Sequence, residues 1–171
     1  MIAVRVGWVS AALVTAVFVL PAAVSRAGDE PKDLDKIPKA VMDALKAKFP
    51  KAKINKWSKE TEKGKVVYDI EFKQDGRKAE ADITEDGTIQ NFEKEFDAKD
   101  LPKAVTEAVE KKYPKSKIKE VMEITEIKEK QEVHGGFEIV LETADKKKVE
   151  VTIAKDGKIK EDSGAKKEEK K

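Results

Sequence analysis

The sequence predicts an α+β fold built from two α-β-β-β-β repeats, with the helices packed on one face of an antiparallel sheet. Three observations predict this fold. Residues 37–54 and 101–118 are identical at ten of eighteen aligned positions, and the offset is 64 residues. Each copy opens with apolar residues at helical spacing and continues with the alternation that is typical of strands. The same order of turn residues follows in both copies, so a small domain is duplicated.

A helix opens each copy. The first apolar stripe runs from Ile37 to Phe49 and the second from Leu101 to Tyr113. A proline suits the first turn of a helix, where a missing N–H costs little. A later proline ends the helix, because the residue before a proline avoids the helical region. These prolines are Pro38, Pro50, Pro102 and Pro114. The stripes predict two helices that pack on a sheet.

Four strands follow each helix. Strands are predicted over residues 54–62, 66–73, 79–83, 88–96, 118–129, 137–143, 148–154 and 158–161. A turn is predicted at residues 74–77, and Asp86-Gly87 indicates a two-residue hairpin. Acidic residues alternate with apolar ones, which predicts an antiparallel sheet with one charged face in water. The acidic residues of that face are Asp69, Glu71, Glu80, Asp82, Glu138, Glu142 and Glu150.

The N-terminus is predicted to be a secretory signal peptide. Arg5 precedes an apolar run, residues 6–20, that is too short for a comfortable membrane span. Ser25 and Ala27 then provide small residues for cleavage. Cutting after Ala27 shortens the 171-residue chain by 27 residues to 144 and predicts a periplasmic or secreted protein without membrane insertion. The alternative is an uncleaved membrane anchor.

Composition narrows the possible partners. The chain has no cysteine, so neither disulfides nor a lipid-modified cysteine can hold it. Its 36 Lys and Arg face 34 Asp and Glu, and the loss of Arg5 and Arg26 leaves 34 of each sign. These charges are interspersed, whereas a nucleic-acid binder concentrates positive charge. No nucleic-acid partner is expected.

The order of these motifs resembles the PepSY-like family, also described as β-lactamase-inhibitor-like. The segments that match in the first copy are Ile37-Pro38, Phe49-Pro50, Tyr68–Phe72 and Asp86-Gly87. Those in the second copy are Leu101-Pro102, Tyr113-Pro114, Phe137–Leu141 and Asp156-Gly157. The resemblance covers residues 35–161 and implies a small exported bacterial domain. It also implies that the two repeats can join in one continuous eight-stranded sheet.

The resemblance implies a non-catalytic binding module. Its partner would be another exported protein, such as an enzyme, which it recognises or inhibits as a hydrolase or peptidase inhibitor does. The alternative is a small-ligand or cation-responsive envelope module that uses the acidic sheet face. A contiguous apolar patch on that face would favour a protein partner.

Residues for catalysis or metal binding are few. His134 is the sole histidine, and residues 132–136 are predicted to form a loop with a turn at Gly135-Gly136. Without a second histidine or a cysteine, a soft-metal site cannot be completed. The Asp-Gly turns lack the run of oxygen ligands that calcium requires. We therefore expect no enzymatic activity, no cofactor and no metal.

The candidate partner-binding residues are Trp57, Val67, Val121 and Val140. Val67 and Val140 fall on the charged face by parity. Trp57 falls there too if its strand is regular, and Val121 is its counterpart in the second repeat. Aromatic residues dominate the energetics of interfaces. The alternative, which the sequence favours, is a β-bulge that turns Trp57 into the core.

The predicted organisation has five parts. A linker at residues 28–34 follows the signal peptide at residues 1–27. The repeats occupy residues 35–97 and 98–162. The last part, residues 163–171, has no large apolar residue and is expected to be a disordered charged tail.

Overall fold

The structure is a computed structural model that describes residues 33–62 and 64–164. The first repeat contains helix α1 (Lys39–Lys48) and strands β1 (Lys53–Glu62), β2 (Lys65–Gln74), β3 (Arg77–Thr84) and β4 (Ile89–Glu95). The second contains helix α2 (Lys103–Lys112) and strands β5 (Lys117–Lys128), β6 (Gln131–Glu142), β7 (Lys148–Ile153) and β8 (Ile159–Asp162). A short 3-10 helix precedes each α-helix, at Leu34–Lys36 and Ala98–Asp100. The predicted α+β fold with two repeats is confirmed.

All eight strands form one antiparallel sheet in sequence order. The repeats join through β4 and β5, which pair from Asn91 with Glu126 to Glu95 with Met122. The backbone hydrogen bonds of the sheet are therefore continuous across the boundary between the repeats. The one continuous eight-stranded sheet that the resemblance implies is what the structure contains.

A separate apolar cluster lies beneath each helix. Val41 and Leu45 of α1 pack against a cluster that includes Phe72, and all three are buried. Val105 and Val109 of α2 pack in the same way in the second repeat. Burial of these stripes is the main force that holds the helices on the sheet. The opposite face, which carries no helix, is called the open face below.

A β-bulge near the start of β1 and of β5 changes which face the following residues occupy. The pairing shifts between Ile54 and Lys56 in β1 and between Ile118 and Glu120 in β5. The extra residue allows two residues that are three positions apart to lie on the same face. This irregularity repeats in both copies, as their related sequences predict.

Two turns differ from those the sequence predicts. Thr84 N–H donates to Thr88 O at 2.9 Å, so the loop at Asp86-Gly87 has three residues rather than two. Gly87 takes the left-handed conformation (φ 87°) that such a loop requires. Between β5 and β6 the chain turns at Glu129 and Lys130, both at positive φ, and β6 begins at Gln131. The loop predicted at residues 132–136 is therefore part of a strand.

The predicted chain ends lie mostly outside the described residues. This holds for the signal peptide at residues 1–27, most of the linker and residues 165–171. Ser163 and Gly164, assigned to the tail from sequence, are instead hydrogen-bonded: Glu150 N–H donates to Ser163 Oγ at 2.8 Å, and Gly164 N–H to Asp162 Oδ1 at 2.9 Å. None of the helices that the structure describes has the length and apolar character to cross a membrane.

Candidate functional site

The open face carries many carboxylates because alternate residues of its strands are acidic. Direct cross-strand partners there include Asp69 with Asp82, Glu71 with Glu80, and Glu80 with Glu93. Like charges placed directly opposite each other destabilise a sheet. Core packing does not require this arrangement, since the helices cover the other face. The open face is therefore the candidate functional surface.

A groove of about 890 Å³ runs across the open face. Lys56 on β1 and Glu150 on β7 both line it, although five strands lie between them. Strands are about 4.8 Å apart, so a flat sheet would separate these two by about 29 Å. Residues this far apart share a groove because the open face is concave. The acidic residues that line the groove are Asp69, Glu71, Glu80, Glu120, Glu138, Asp145 and Glu150.

Three carboxyl groups of the open face have strongly raised pKa values. Burial, with a smaller contribution from the neighbouring Asp82, raises the pKa of Asp69 to about 7. Burial, and then Glu150, raises the pKa of Glu138 to about 7. Burial, and then Glu138, raises the pKa of Glu93 to about 9. These groups hold protons close to neutral pH, where an exposed carboxyl group is fully ionised.

Two lysines of the groove are already paired with carboxylates. Lys56 Nζ lies 2.8 Å from Glu71 Oε1. Lys78 on β3 reaches over β4, with its Nζ 2.8 Å from Glu80 Oε1 and 2.7 Å from Glu120 Oε1. Burial opposes the charged form of Lys78, but hydrogen bonds to Glu120 and Glu80 raise its pKa overall. The other lysines that line the groove also lie beside carboxylates: Lys112 beside Asp162, Lys147 beside Asp145 and Lys148 beside Glu150.

Two of the four predicted partner-binding residues lie on the open face. Val67 and Val140 are there, as parity predicts, but they are only 1% and 8% exposed. Val140 lies opposite Glu120 on β5 and Glu150 on β7, and it lines the groove. Its role there is an apolar floor between acidic side chains, because it offers little surface of its own.

Trp57 and Val121 lie on the helix face, which corrects their predicted position. Trp57 pairs with the buried Ile70, and it packs partly buried against the first core cluster with its ring stacked on that of Tyr68. Val121 pairs with Ile139 and is buried in the second cluster. The bulges in β1 and β5 reverse the parity on which the prediction relied. The alternative for Trp57, a bulge that turns it toward the core, is confirmed.

His134 lies in strand β6 and not in a loop. Its Nε2 is 3.3 Å from Glu123 Oε1, and its ring meets that of Phe137 edge to face with centroids 5.0 Å apart. These contacts are on the helix face, away from the groove. In the part of the chain that the structure describes, no group of three or more His, Cys, Asp or Glu side chains is arranged to hold a metal ion.

Sequence reasoning missed Glu93 and Glu120. Glu93 lies opposite Glu80 in the β3–β4 hairpin, so pairing outward from the Asp86-Gly87 turn would have found it. The bulge before Glu120 hides its parity, and the sequence contains no signal for that bulge. The raised pKa values also depend on the curvature of the sheet, which periodicity does not encode.

Comparison with protein families identifies the chain. A family model described as "Putative beta-lactamase-inhibitor-like, PepSY-like" matches residues 30–91 and 67–161. The two matches together span more than half of the sequence. The chain belongs to the PepSY-like family. The resemblance inferred from the turn and core motifs is confirmed, and the two matches overlap at residues 67–91. No curated protein sequence matches the chain.

Solved structures share the fold of this PepSY-like protein. A BLIP-like protein from Bacteroides fragilis is 25% identical, with a TM-score of 0.53, and the match covers 74% of this chain and 85% of that one. A DUF2874 family protein from Bacteroides uniformis is 19% identical (TM-score 0.57; 73% and 87% covered). A protein described as periplasmic, from Bacteroides eggerthii, is also 19% identical (TM-score 0.58; 74% and 87% covered). At 19% identity the likeness shows the fold alone.

Proposed function

We propose that this PepSY-like protein is an exported, non-catalytic module that recognises or inhibits another extracytoplasmic protein, such as a hydrolase or a peptidase. The observation that carries the proposal is the concave groove on the open face. A concave surface buries more of a partner than a flat one, and the strands around it hold its side chains in fixed positions. The inhibitor-like description of the family and of the B. fragilis structure supports the same function.

Export is part of the proposal. The signal peptide predicted at residues 1–27 would direct the chain across the cytoplasmic membrane. The B. eggerthii structure is described as that of a periplasmic protein, which supports the same compartment. The partner would then be met in the periplasm or outside the cell.

The pattern of pKa shifts favours binding over catalysis. General acid–base catalysis by two carboxyl groups requires environments that push their pKa values apart. Burial shifts Asp69, Glu93 and Glu138 in the same direction. Carboxyl groups that are buried without a cation remain protonated, and a partner that supplies a cation would favour their ionised form.

Affinity capture tests the proposal. Residues 28–171, immobilised, would be exposed to the exported proteins of the host, and bound proteins would be identified and quantified by mass spectrometry. We expect one protein in near-equal amount to the bait. Glu150→Lys, which places a cation in the groove, should reduce capture, whereas Glu110→Lys on the exposed side of α2 should not.

Two results would count against the proposal. If Glu150→Lys captures as much protein as the wild type, the groove is not the binding surface. No captured protein from a folded bait would remove the protein partner itself. If a captured enzyme is recovered, its activity with and without the chain decides between inhibition and recognition alone.

A further inference from the structure

Three carboxyl groups of the open face have no cationic partner among the described residues, and two of them, those of Asp69 and Glu138, line the groove. Asp69, Glu93 and Glu138 come from β2, β4 and β6 and lie on the open face. Within residues 33–62 and 64–164, the side-chain carboxyl groups of these three residues take part in no hydrogen bond or ion pair. The acidic groups that act on them are Glu71, Glu80, Asp82, Glu120 and Glu150, together with one another.

The cations nearest to these three carboxyl groups are held elsewhere. Lys56 acts on Asp69 but is bonded to Glu71, and Lys78 acts on Glu93 and Glu138 but is bonded to Glu80 and Glu120. Lys148 lies 2.7 Å from Glu150. Moving any of these lysines to a new partner would leave its present partner unpaired.

Protons therefore take the place of the missing cations. A buried carboxylate without a partner is costly, and the group responds by remaining protonated. An incoming ammonium or guanidinium group would favour the ionised form and release the proton. The groove is thus better matched to a cationic ligand than to an anionic or a neutral one.

The floor of the groove suits the rest of such a side chain. Val140 lies between Glu120 and Glu150, so apolar surface adjoins acidic groups. Lysine and arginine side chains place their aliphatic stems on apolar surface while their charged ends reach polar groups. The volume of about 890 Å³ accommodates several side chains of one chain segment.

From this geometry we propose that the partner inserts a lysine- or arginine-bearing segment into the groove, where its cations pair with Asp69 and Glu138, the two lining carboxyl groups without a partner among the described residues. The inference rests on the proposed function and adds the chemistry of the partner. It predicts that binding is coupled to proton release, because the groups that receive the cations are partly protonated beforehand. Binding of a basic peptide to ordinary surface carboxylates would release no protons near pH 7.

Calorimetric titration with a hexalysine peptide tests the inference directly. The titration would use residues 28–171 at pH 7 and about 150 mM salt, where long-range attraction is screened beyond about 8 Å. Repeating it in phosphate and in Tris, which differ in ionisation enthalpy, measures the protons released. We expect about one proton per peptide, because Asp69 and Glu138, with pKa values of about 7, are each half protonated at pH 7 before the peptide binds. A hexaglutamate peptide should not bind.

Matched variants locate the binding. Glu138→Gln and Asp69→Asn, both in the lining of the groove, should each weaken hexalysine binding about five-fold or more and reduce the number of protons released. Glu107→Gln and Glu110→Gln remove exposed carboxylates from α2, outside the groove, and should alter neither quantity. Circular dichroism would confirm that all four variants are folded.

Three results would overturn the inference: no binding of hexalysine to the folded chain, binding without proton release, or equal weakening by the groove and helix variants. Its failure is separable from that of the proposed function. A protein captured equally well by the chain and by Glu138→Gln, and not displaced by hexalysine, leaves the binding function standing and removes the cationic segment. If hexalysine binds with proton release but no protein is captured, the groove prefers cations and the proposed protein partner is contradicted.

Discussion

Glu93 makes the stability of this protein depend on pH in an unusual direction. Its pKa is 4.5 in a model compound and about 9 in the folded protein. Between these values the folded state binds a proton that the unfolded state has lost, so the free energy of unfolding falls as pH rises through this window. Asp69 and Glu138 add to the slope up to about pH 7. Above pH 7, Glu93 is the main contributor among the three.

Replacing Glu93 with glutamine should remove its part of this slope. Urea unfolding of the wild type should show a lower free energy at pH 9 than at pH 6, and Glu93→Gln should show a smaller decrease. The groups that face Glu93 and would act on the result are Glu80, Asp82, Glu138 and Lys78. Glu110→Gln on the exposed surface of α2 is the control and should follow the wild type. A Glu93→Gln profile parallel to that of the wild type would show that Glu93 ionises normally.

At the residue scale, alternation in the sequence predicts some core residues correctly, but it does not always predict which face of the sheet a residue occupies. The core positions of Tyr68 and Phe137 follow from alternation and are confirmed, since both are buried. Because of the bulges in β1 and β5, Trp57 and Val121 lie on the helix face and not on the open face. A bulge is the insertion of a single residue, here Asn55 in β1 and Lys119 in β5. Neither side chain is of a type that predicts a bulge. Proposals about faces are therefore secure only where the register is known.

At the element scale, the β3–β4 hairpin packs against helix α1 at Gly87. A Cβ at Gly87 would lie 2.7 Å from Ala40 O of α1, and Gly157 repeats this approach to Ala104 O of α2 at 2.5 Å. Gly76 has a similar positive φ (85° against 87°), but nothing lies within 4 Å of its Cβ position. Gly76 and Gly87 therefore have the same backbone conformation, and only Gly87 also contacts a helix.

Alanine substitution at these two glycines measures the contact. Gly76→Ala should cost about 1 kcal/mol, because only the left-handed conformation is disfavoured. Gly87→Ala should cost about 2–4 kcal/mol, because the helix must also shift. Chemical denaturation of both variants provides the comparison. Equal losses would mean that the hairpin does not pack tightly beneath α1.

The sequence predicts best the elements whose ends are marked by proline or glycine. Both helices and the hairpin at residues 74–77 carry proline or glycine at the positions that their geometry requires, and they were predicted close to their observed bounds. The turn at Glu129 and Lys130 carries neither Gly nor Asn, although both residues have positive φ. Gly135 and Gly136 supplied a false turn signal, since they belong to an irregular part of the β5–β6 pairing. The start of β6 was therefore placed too late.

At the scale of the whole molecule, the pairing of β4 with β5 should make the two repeats unfold together. The chain without residues 1–27 contains one tryptophan, Trp57, which reports on the first repeat. Val105→Ala removes buried methyl groups from the second repeat and should cost about 2 kcal/mol. If the sheet is one cooperative unit, the unfolding transition seen by Trp57 fluorescence should shift as far as the one seen by circular dichroism. An unshifted fluorescence transition would indicate two independent domains.

The proposed binding surface is the open face and not the helix face. The absence of cysteine from the sequence permits a label to be placed at one chosen position. Glu150→Cys carries the label into the groove, and Glu110→Cys carries it on the exposed surface of α2. Each variant would be coupled to a bulky maleimide and compared with its unlabelled form for capture of exported host proteins.

That comparison is the most direct test of the central claim. We predict that the label at position 150 abolishes capture and that the label at position 110 leaves it unchanged. Loss of capture with the label on α2, and retention with the label in the groove, would contradict the account and move the binding surface to the helix face.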